Sequence, residues 1–296
     1  MINERRSVLV TGCSGFIGRA LAEQLLTEGW YVIGAARTDP KIANASFEYR
    51  RLDLCEEPLS PLLFDGVDAF IHAALIAQSA KRDAVADNVN AAMRLLEAAR
   101  SQKVTKGIYL SSMAASENAL SDYGKQKFAI EALFSASGYM NVRPGLVIGD
   151  GGLFRSLARS LKARRIVPLI DGGRQALETI FLDDCVEILS YNLSVPRQDG
   201  TFAITSNAPI LFREFYTELA QCLSVEPLFI PVPFQLADYS LAAAEWLRVT
   251  LPINRDNLLG LRAMRANTIE RLTRPVVSLR GAKESIRIAV ARAGQI

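Results

Sequence analysis

Apolar and polar residues follow one another along this chain in two different rhythms. Short β-branched runs, such as the one at 7–12, precede stretches in which apolar residues recur every three or four positions, as at 17–29. The first rhythm predicts buried strands and the second predicts amphipathic helices. Further strands are predicted at 30–37, 47–54, 67–74, 106–113 and 140–149, and further helices at 82–102 and 121–137.

The strand and helix patterns alternate from residue 5 to about residue 150. Repeated strand–helix–strand units build a parallel sheet with helices on both faces, so residues 1–150 predict an α/β fold with a doubly wound parallel sheet. Beyond this range the pattern loosens, and prolines and short helices dominate from Pro209. We expect residues 151–296 to form a smaller, mostly helical C-terminal lobe that binds substrate, with part of 175–206 joining the sheet.

Composition narrows the range of partners and compartments. The formal net charge is +3, which gives no global field for binding nucleic acid. No apolar run approaches the ~20 residues needed to cross a bilayer, and the N-terminal residues lead directly into a strand. The cysteines lack metal-ligand spacing, and the chain has one histidine, His72, so we expect a cytoplasmic protein without a metal site. The cysteines are Cys13, Cys55, Cys185 and Cys222.

Three glycines, Gly12, Gly15 and Gly18, separate the first strand from the first helix. One glycine permits a tight turn, one lets the backbone approach a pyrophosphate, and one lets the helix pack near the strand. The helix N-terminus then offers free N–H groups to the anion. This arrangement predicts an NAD(P)-binding Rossmann-type domain at 1–150, the alternative being a turn that merely packs tightly.

The end of the second strand bears on the choice of cofactor. NAD enzymes usually place an acidic residue ~20 residues after the glycines, where it binds the ribose 2′-hydroxyl. Here the strand ends in Arg37, and Asp39 follows two positions later. Because an arginine suits a 2′-phosphate, we expect NADP in preference to NAD. The alternative is a surface arginine, with Asp39 binding the ribose of NAD.

Tyr123 and Lys127 stand four positions apart in a predicted helix, on one face. A free tyrosine has a pKa of about 10 and is a poor base at neutral pH. A nearby ammonium and an oxidised nicotinamide favour the phenolate and lower that pKa. The pair therefore predicts proton transfer by Tyr123 coupled to hydride transfer at a nicotinamide.

Several motifs, in this order, resemble the short-chain dehydrogenase/reductase superfamily: TGCSGFIG, NVNAAMRLLEAA, YLSSMAA, YGKQK and VRPGLVIG. Phe16 and Ile17 resemble its extended branch of epimerases and dehydratases. The likeness covers the first half of the chain and extends weakly to FLDDCVEIL, where Asp184 matches an acidic position. The resemblance implies an NAD(P)-dependent epimerase or reductase in which Ser112 assists Tyr123 and Lys127 by binding the substrate oxygen.

The resemblance also implies a set of cofactor contacts. Asp53 and Leu54 would frame the adenine, the alternative for Asp53 being the N-cap of a helix. Asn88 would fix the geometry of the strand beside the cofactor, and the His72 side chain would be structural. The full set is Gly12, Ser14, Gly15, Phe16, Ile17, Gly18, Arg37, Asp53, Leu54, His72, Ala73, Ala74, Asn88, Ser111, Lys127, Pro144, Gly145 and Leu146.

Departures from the family pattern concern the substrate. Only 11 positions separate Ser112 from Tyr123, counted as 123 − 112, and this short loop indicates a smaller or more open pocket. Leu177 stands where the family has an arginine for the substrate's pyrophosphate, and Arg174 is the candidate to replace it. We expect a sugar-nucleotide substrate by family analogy.

Met113 and Ala114 occupy the positions of the Asp–Glu pair that the family's dehydratases use for elimination. Simple redox chemistry remains, by a reductase or by an epimerase. The alternatives are a reductase of a non-sugar carbonyl and a non-catalytic NADP-binding regulator or scaffold. By the same analogy, helices 83–101 and 122–136 would form a four-helix interface in a homodimer, the alternative being that their apolar faces are buried entirely against the sheet.

Basic residues are dense near the C-terminus. One interpretation is a surface that docks on a membrane or on an acidic partner. The other, which we favour, is a set of solvated helix faces on which arginine stems cover apolar surface. The positions are Arg255, Arg262, Arg265, Arg271, Arg274, Arg280, Lys283, Arg287 and Arg292.

Overall fold

A seven-stranded parallel sheet organises this computed structural model, which describes residues 6–77, 83–232, 269–272 and 278–294. The strands are β1 Ser7–Thr11, β2 Tyr31–Ala36, β3 Phe47–Arg51, β4 Ala69–His72, β5 Lys106–Leu110, β6 Met140–Pro144, β7 Leu146–Ile148, β8 Ile166–Ile170, β9 Ala176–Leu177, β10 Thr179–Phe181, β11 Gly200–Ile204, β12 Ile210–Leu211 and β13 Leu228–Val232. The described helices are α1 Phe16–Thr27, α2 Ala84–Ser101, α3 Asp122–Ala136, α4 Gly152–Arg164, α5 Leu182–Ser194, α6 Phe212–Leu223 and α7 Ala282–Arg292.

The strand order of the main sheet is β11-β6-β5-β4-β1-β2-β3, and every neighbouring pair is parallel. Side chains alternate between its faces, since Val8 and Val10 enter one apolar cluster and Leu9 enters another. Helices α1 and α5 cover the first face, and α2 and α3 cover the second. The predicted α/β Rossmann-type fold with a doubly wound sheet is thereby confirmed.

Side-chain caps fix where the two long helices begin. Asp83 accepts hydrogen bonds from the N–H groups of Val85 and Ala86, and α2 starts at the next residue. Ser121 accepts from Gly124 N at 3.0 Å, and α3 starts at Asp122. Such caps satisfy N–H groups that the first helical turn leaves unpaired. The cap at Ser121 also sets the position of Tyr123, the second residue of α3.

The prediction of one strand at 140–149 is wrong. The main-sheet strand β6 ends at Pro144, and β7 pairs with β10 in a separate two-stranded sheet. The break lies at Gly145, whose N–H donates to Ile204 O at 3.0 Å, whereas Leu146 N donates to Glu178 O at 2.8 Å. A Cβ at Gly145 would lie 2.7 Å from the Glu178 backbone, so a side chain there would prevent the crossing.

Residues beyond 150 contribute both to the main sheet and to a third apolar cluster. Strand β11 pairs with β6, and Ala203 N donates to Glu270 O at 2.8 Å. The third cluster is built by α4, α6, α7 and the short strands between them. Strand β13, parallel to β8, corrects the expectation of short helices after Pro209. Four of the basic C-terminal positions lie outside the described residues, namely Arg255, Arg262, Arg265 and Arg274.

Candidate active site

The glycine turn after β1 leaves no room for side chains. Gly12 has φ +73°, and a Cβ there would lie 2.8 Å from Ala74 N. Gly15 N donates to Gly12 O at 2.8 Å, and a Cβ at Gly18 would overlap the same carbonyl. The backbone therefore closes tightly and the first turn of α1 sits directly on it, which fits a pyrophosphate at the helix N-terminus.

A buried threonine joins the turn to the end of β4. Thr11 Oγ1 lies 2.8 Å from His72 Nδ1 and accepts hydrogen bonds from the N–H groups of Ala73 and Ala74, each at 3.2 Å. Sequence reasoning missed this residue, although its position directly before Gly12 at a strand end is a signal. Thr11 holds the end of β4 against the glycine turn.

His72 is enclosed by aromatic rings. It stacks on Phe134 and Tyr109, with ring centroids 5.9 and 5.6 Å away. Burial, helped by the charge of Lys127, lowers the pKa of His72 to about 3. The imidazole is therefore neutral at physiological pH and does not act as an imidazolium acid, which favours a structural role.

A cavity of about 580 Å³ opens beside the glycine turn. Its size falls in the range of small-molecule sites, about 300–1,000 Å³. Its walls unite eight of the predicted cofactor residues with neighbours that the sequence did not single out, such as Leu52 and Ile76. The predicted residues are Gly12, Ser14, Gly15, Arg37, Asp53, Leu54, Ala73 and Ala74.

Two polar side chains hold the walls of this cavity. Asn88 Oδ1 accepts from Ile76 N at 2.8 Å, and its Nδ2 donates to Ile76 O at 3.0 Å, so α2 fixes the segment after β4. Asp53 Oδ1 accepts from Cys55 N at 3.0 Å. The alternative that Asp53 caps a helix is wrong, because residues 52–68 form turns.

Phe16 and Ile17 serve to pack the first turn of α1. The Phe16 ring lies against Gly149, Gly151 and Gly152, where any added Cβ would meet it. Ile17 packs on the apolar cluster around α1. These contacts tie the glycine turn to the start of α4.

The side chain of Lys127, on α3, reaches the end of β5 and lies beside Tyr123. Its buried ammonium donates to Leu110 O at 2.8 Å and lies 5.8 Å from the centre of the Tyr123 ring. Ser112 follows two residues after Leu110, and its hydroxyl is near enough to the Tyr123 phenol to influence the pKa of that phenol. The three predicted catalytic side chains thus converge at the carboxyl edge of the sheet, where doubly wound folds bind ligands.

Burial dominates the protonation of these groups. It raises the pKa of Tyr123, and the nearby Ser112 hydroxyl opposes that rise. Burial lowers the pKa of Lys127 to about 8, whereas the negative charge of Glu131 acts in the opposite direction and raises it. The sequence predicts a lowered Tyr123 pKa from the ammonium together with an oxidised nicotinamide, whereas within the protein itself burial has the larger effect and raises this pKa. The phenol is protonated at neutral pH and suits a proton donor.

Gly124, between Tyr123 and Lys127, is a functional position that sequence reasoning missed. A Cβ there would lie 2.5 Å from Ala114 O, in the loop that follows Ser112. Glycine inside a helix costs roughly 1 kcal/mol relative to alanine, and this cost is the signal that close packing is needed. Gly124 lets the first turn of α3 pack closely against residues 112–120, the loop that begins at Ser112 and is called the serine loop below.

Ser111 carries a buried hydroxyl beside the same edge. Among the described residues, no partner lies within hydrogen-bond distance of its Oγ, while its N–H donates to Val142 O at 2.7 Å. A buried hydroxyl without a partner costs free energy, so a ligand atom that accepted or donated there would be favoured. This fits the predicted contact with a cofactor.

The predicted substrate residue Arg174 is not among the residues that line the cavity. It is exposed and follows a 3₁₀ turn at Asp171–Gly173, close to the start of α6. Leu177 is buried in the third apolar cluster and pairs with Ile210. That position therefore presents no charge to an anionic substrate.

Every described arginine of the basic C-terminal stretch pairs with an acidic residue of the protein. Arg271 contacts Glu178 at 3.4 Å, and Arg287 contacts Glu218 at 2.7 Å. Arg280 bonds Asp184 through both its backbone and its side chain, and Arg292 contacts Asp183. Their charges are neutralised internally, which favours the structural interpretation over docking.

Within the described ranges, no three His, Cys, Asp or Glu side chains are grouped so that they could hold a metal ion. None of the helices in those ranges is both long and apolar enough to cross a membrane.

The sequence of this chain matches a family model and individual proteins of known name. The model of the NAD dependent epimerase/dehydratase family matches residues 8–204. The ceramide reductase of Caulobacter vibrioides is 34% identical over 167 residues, which are 53% of this chain and 52% of that protein. This chain thus spans about half the length of that relative. The UDP-glucose 4-epimerase of Mycolicibacterium smegmatis is 27% identical over 270 residues, 75% of this chain and 85% of that protein.

Solved structures share the fold. The Thermus thermophilus UDP-glucose 4-epimerase in complex with NAD superposes with a TM-score of 0.70 at 19% identity, covering 98% of this chain and 100% of that chain.

Proposed function

Because the chain belongs to the NAD-dependent epimerase/dehydratase family of extended short-chain dehydrogenase/reductase enzymes, we propose that it is an NADP-dependent reductase or epimerase. Its substrate is a small molecule of the sugar-nucleotide class, altered at a hydroxyl or keto group. The observation that carries this proposal is the convergence of Tyr123, Lys127 and Ser112 at the sheet edge that also bears the glycine turn.

The residues present fit a nicotinamide dinucleotide. The bare backbone around Gly12 and Gly15 would hold the pyrophosphate, and the Asp53 segment would border the adenosine. Lys127 would donate to the nicotinamide ribose, and the Ser111 hydroxyl, which has no partner among the described residues, would pair with the cofactor. When bound, such a cofactor supplies or accepts a hydride.

The side chains of the chain then handle the proton. In the reductive direction, Ser112 donates to the substrate carbonyl oxygen and polarises it. Tyr123 gives its proton to that oxygen as the carbon is reduced, and the Lys127 ammonium stabilises the phenolate that remains. In the oxidative direction the same groups act in reverse. Retention of all three residues argues against a non-catalytic regulator or scaffold.

The NADP preference rests on Arg37, which lines the cavity. The alternative residue, Asp39, already accepts a hydrogen bond from Lys41 N at 2.8 Å and is not part of the cavity wall. A guanidinium in that wall would bind a 2′-phosphate through charge-assisted hydrogen bonds.

The sugar-nucleotide class is supported by the relative named UDP-glucose 4-epimerase. The experiment that tests cofactor and substrate together is a screen of keto and hydroxyl sugar nucleotides with NADPH, NADP, NADH and NAD. Turnover of a sugar nucleotide that is lost in Tyr123→Phe would support the proposal. Turnover that survives this change would overturn the assigned mechanism.

A reductase of a non-sugar carbonyl is the second candidate. It is favoured by the 34% identity to a ceramide reductase and by the buried Leu177 in place of an anion-binding arginine. Presenting a long-chain ketone in detergent micelles with NADPH would discriminate the two. Oxidation of NADPH by the ketone, with none by keto sugar nucleotides, would select this candidate.

The quaternary state proposed is a homodimer formed by α2 and α3, which pack together and expose Met93 and Phe128. Light scattering after gel filtration would give the mass of a dimer, and Met93→Lys would shift it toward the monomer.

A cytoplasmic location is supported by four unpaired cysteines, of which Cys13 and Cys185 are buried.

A further inference from the structure

A buried ion pair lies one helical turn beyond the proposed catalytic lysine. Arg143 donates to Glu131 through Nε at 2.7 Å and through Nη2 at 2.5 Å. The two side chains are only 7% and 5% exposed. A guanidinium and a carboxylate joined by two parallel bonds have a defined mutual orientation, so the pair fixes α3 relative to β6.

The positions of both partners connect the pair to the reaction. Glu131 follows Lys127 by four residues, so the two side chains share one face of α3. Arg143 immediately precedes Pro144 and Gly145, the turn at which the nicotinamide is expected. The pair therefore joins the helix of the proton-transfer residues to the strand that leads into the nicotinamide turn.

The electrostatic surroundings of Lys127 leave Glu131 with a distinct role. His72 is neutral, and burial raises the pKa of Tyr109 well above its usual value, so neither phenol nor imidazole carries charge there at neutral pH. Glu131 is the carboxylate that favours the charged form of Lys127. The titratable or charged groups around Lys127 are His72 from β4, Tyr109 from β5, Tyr123 and Glu131 from α3, and, through Glu131, Arg143 from β6.

A buried ion pair is weak support for stability, because the desolvation of both ions offsets their attraction. In proteins, replacing such a pair with two apolar residues of similar volume is often neutral or stabilising. The pair must therefore be understood through what it does for its neighbours. Arg143 bonds both oxygens of Glu131, and the Lys127 ammonium donates to Leu110 O.

We propose that Glu131 and Arg143 are positioning residues for proton transfer. Their pair holds the Lys127 ammonium at a set place between Tyr123 and the end of β5 and keeps it charged. This inference rests on the proposed function of Tyr123 and Lys127. Neither Glu131 nor Arg143 is proposed to touch the substrate.

The test follows the ammonium directly by NMR. The full chain is labelled with [¹⁵N]lysine, the Nζ signal of Lys127 is assigned by its loss in Lys127→Arg, and its shift is recorded against pH. In Glu131→Gln we expect the midpoint of titration to move to lower pH, because the ammonium loses its favourable carboxylate. Glu131→Asp should restore part of the shift.

A matched control is Glu218→Gln, which removes another buried carboxylate paired with an arginine, far along the chain on α6. It should leave the Lys127 midpoint unchanged. If Glu131→Gln does not fold, Glu131→Asp, which keeps the charge on a shorter side chain, should move the midpoint in the same direction by a smaller amount. An unchanged midpoint in whichever of these variants folds would overturn the inference.

Turnover supplies the second readout. Once a substrate is known, Glu131→Gln should lower kcat about tenfold or more with little change in KM, since a small misplacement of catalytic groups is costly. A change in thermal stability with kcat retained would reduce the pair to a purely structural role. The titration needs no substrate, so a failure of the proposed function at Tyr123 is seen separately from a failure here.

Discussion

Lys127 Nζ donates to the carbonyl oxygen of Leu110 at 2.8 Å, across the gap between α3 and the end of β5. The bond holds the base of the serine loop and the helix of Tyr123 in one fixed arrangement. Two residues after Leu110, the Ser112 hydroxyl meets the Tyr123 phenol. Geometry of this kind is what a proton donor beside a reacting carbonyl requires.

Replacing Tyr123 with phenylalanine should lower kcat by about 10²–10⁴-fold, because the proton donor is lost while the cavity is untouched. The dissociation constant for NADPH, measured by fluorescence titration, should stay within about twofold of the value for the unmodified enzyme. Such a change is well below the tenfold change that corresponds to about 1.4 kcal/mol of binding free energy. Tyr216→Phe is the control, since Tyr216 is buried in the third apolar cluster. A fully active Tyr123→Phe enzyme would contradict the mechanism.

The rate of the reductive reaction should fall as the pH rises through about 8. Lys127 must be charged to stabilise the phenolate left by Tyr123, and burial lowers the pKa of Lys127 to about 8. The decline should therefore begin well below the ordinary range of lysine, about 10.4. A pH profile of kcat with NADPH and saturating substrate checks this, and a flat profile between pH 7 and about 9.5 would refute it.

Arg37→Ser should weaken binding of NADPH about ten- to a hundredfold, since charge-assisted hydrogen bonds to a phosphate are worth about 1.5–3 kcal/mol. Binding of NADH should change little. Calorimetric titration of both cofactors measures the difference, with Arg100→Ser, an exposed position on α2, as the control. Equal losses for both cofactors would mean that Arg37 does not read the 2′-phosphate.

As the pH is lowered, the fold should begin to lose stability at a higher pH than the titration of its carboxylates alone would explain. Burial lowers the pKa of His72 to about 3, so between pH 6.5 and about 3 the unfolded chain binds a proton that the folded chain does not. Stability then falls as the pH falls, by up to about 1.4 kcal/mol per unit. The chain has one histidine, so urea unfolding from pH 7 to 5 isolates the effect.

His72→Gln is the comparison for this acid effect. It removes the titrating group, and its unfolding free energy should vary less with pH across the same interval. A slope equal to that of the unmodified chain would show that His72 is not responsible.

Gly124→Ala should reduce kcat, because the new Cβ would lie 2.5 Å from Ala114 O and push α3 away from the serine loop. We expect about a tenfold loss or more, as small misplacements of catalytic groups are costly. Gly281→Ala is a matched control, since a Cβ there meets nothing within 4 Å among the described residues. Equal activity of both variants would show that close packing at Gly124 is unnecessary.

The sequence carried enough information for the fold and for much of the site. Apolar periodicity located the helices, and the Ser121 cap is visible as a serine before an acidic residue. The glycine spacing indicated a turn whose three tight positions the structure contains. These features depend on neighbours in the chain, which a sequence displays directly.

Features that depend on tertiary packing were not predictable. The apolar run at 140–149 reads as one strand, and its division at Gly145 depends on Glu178, more than thirty residues away. The spacing of Tyr123 and Lys127 indicated their proximity but not the burial of Lys127 or the desolvation of the Tyr123 phenol, whose residue is 36% exposed. That desolvation raises the pKa of Tyr123, the reverse of the expected direction. Likewise, Glu131 and Arg143 lie on different elements, and only the folded chain pairs them.

The crossing at Gly145 has a practical consequence for redesign. Two successive N–H groups, of Gly145 and Leu146, bond to Ile204 O and Glu178 O, which belong to separate segments of the later chain. Any attempt to change substrate range by exchanging residues 151–210 for those of another family member must therefore deliver two backbone carbonyls to these donors. A graft that matches side chains but shifts either carbonyl would loosen the turn at Pro144 and Gly145.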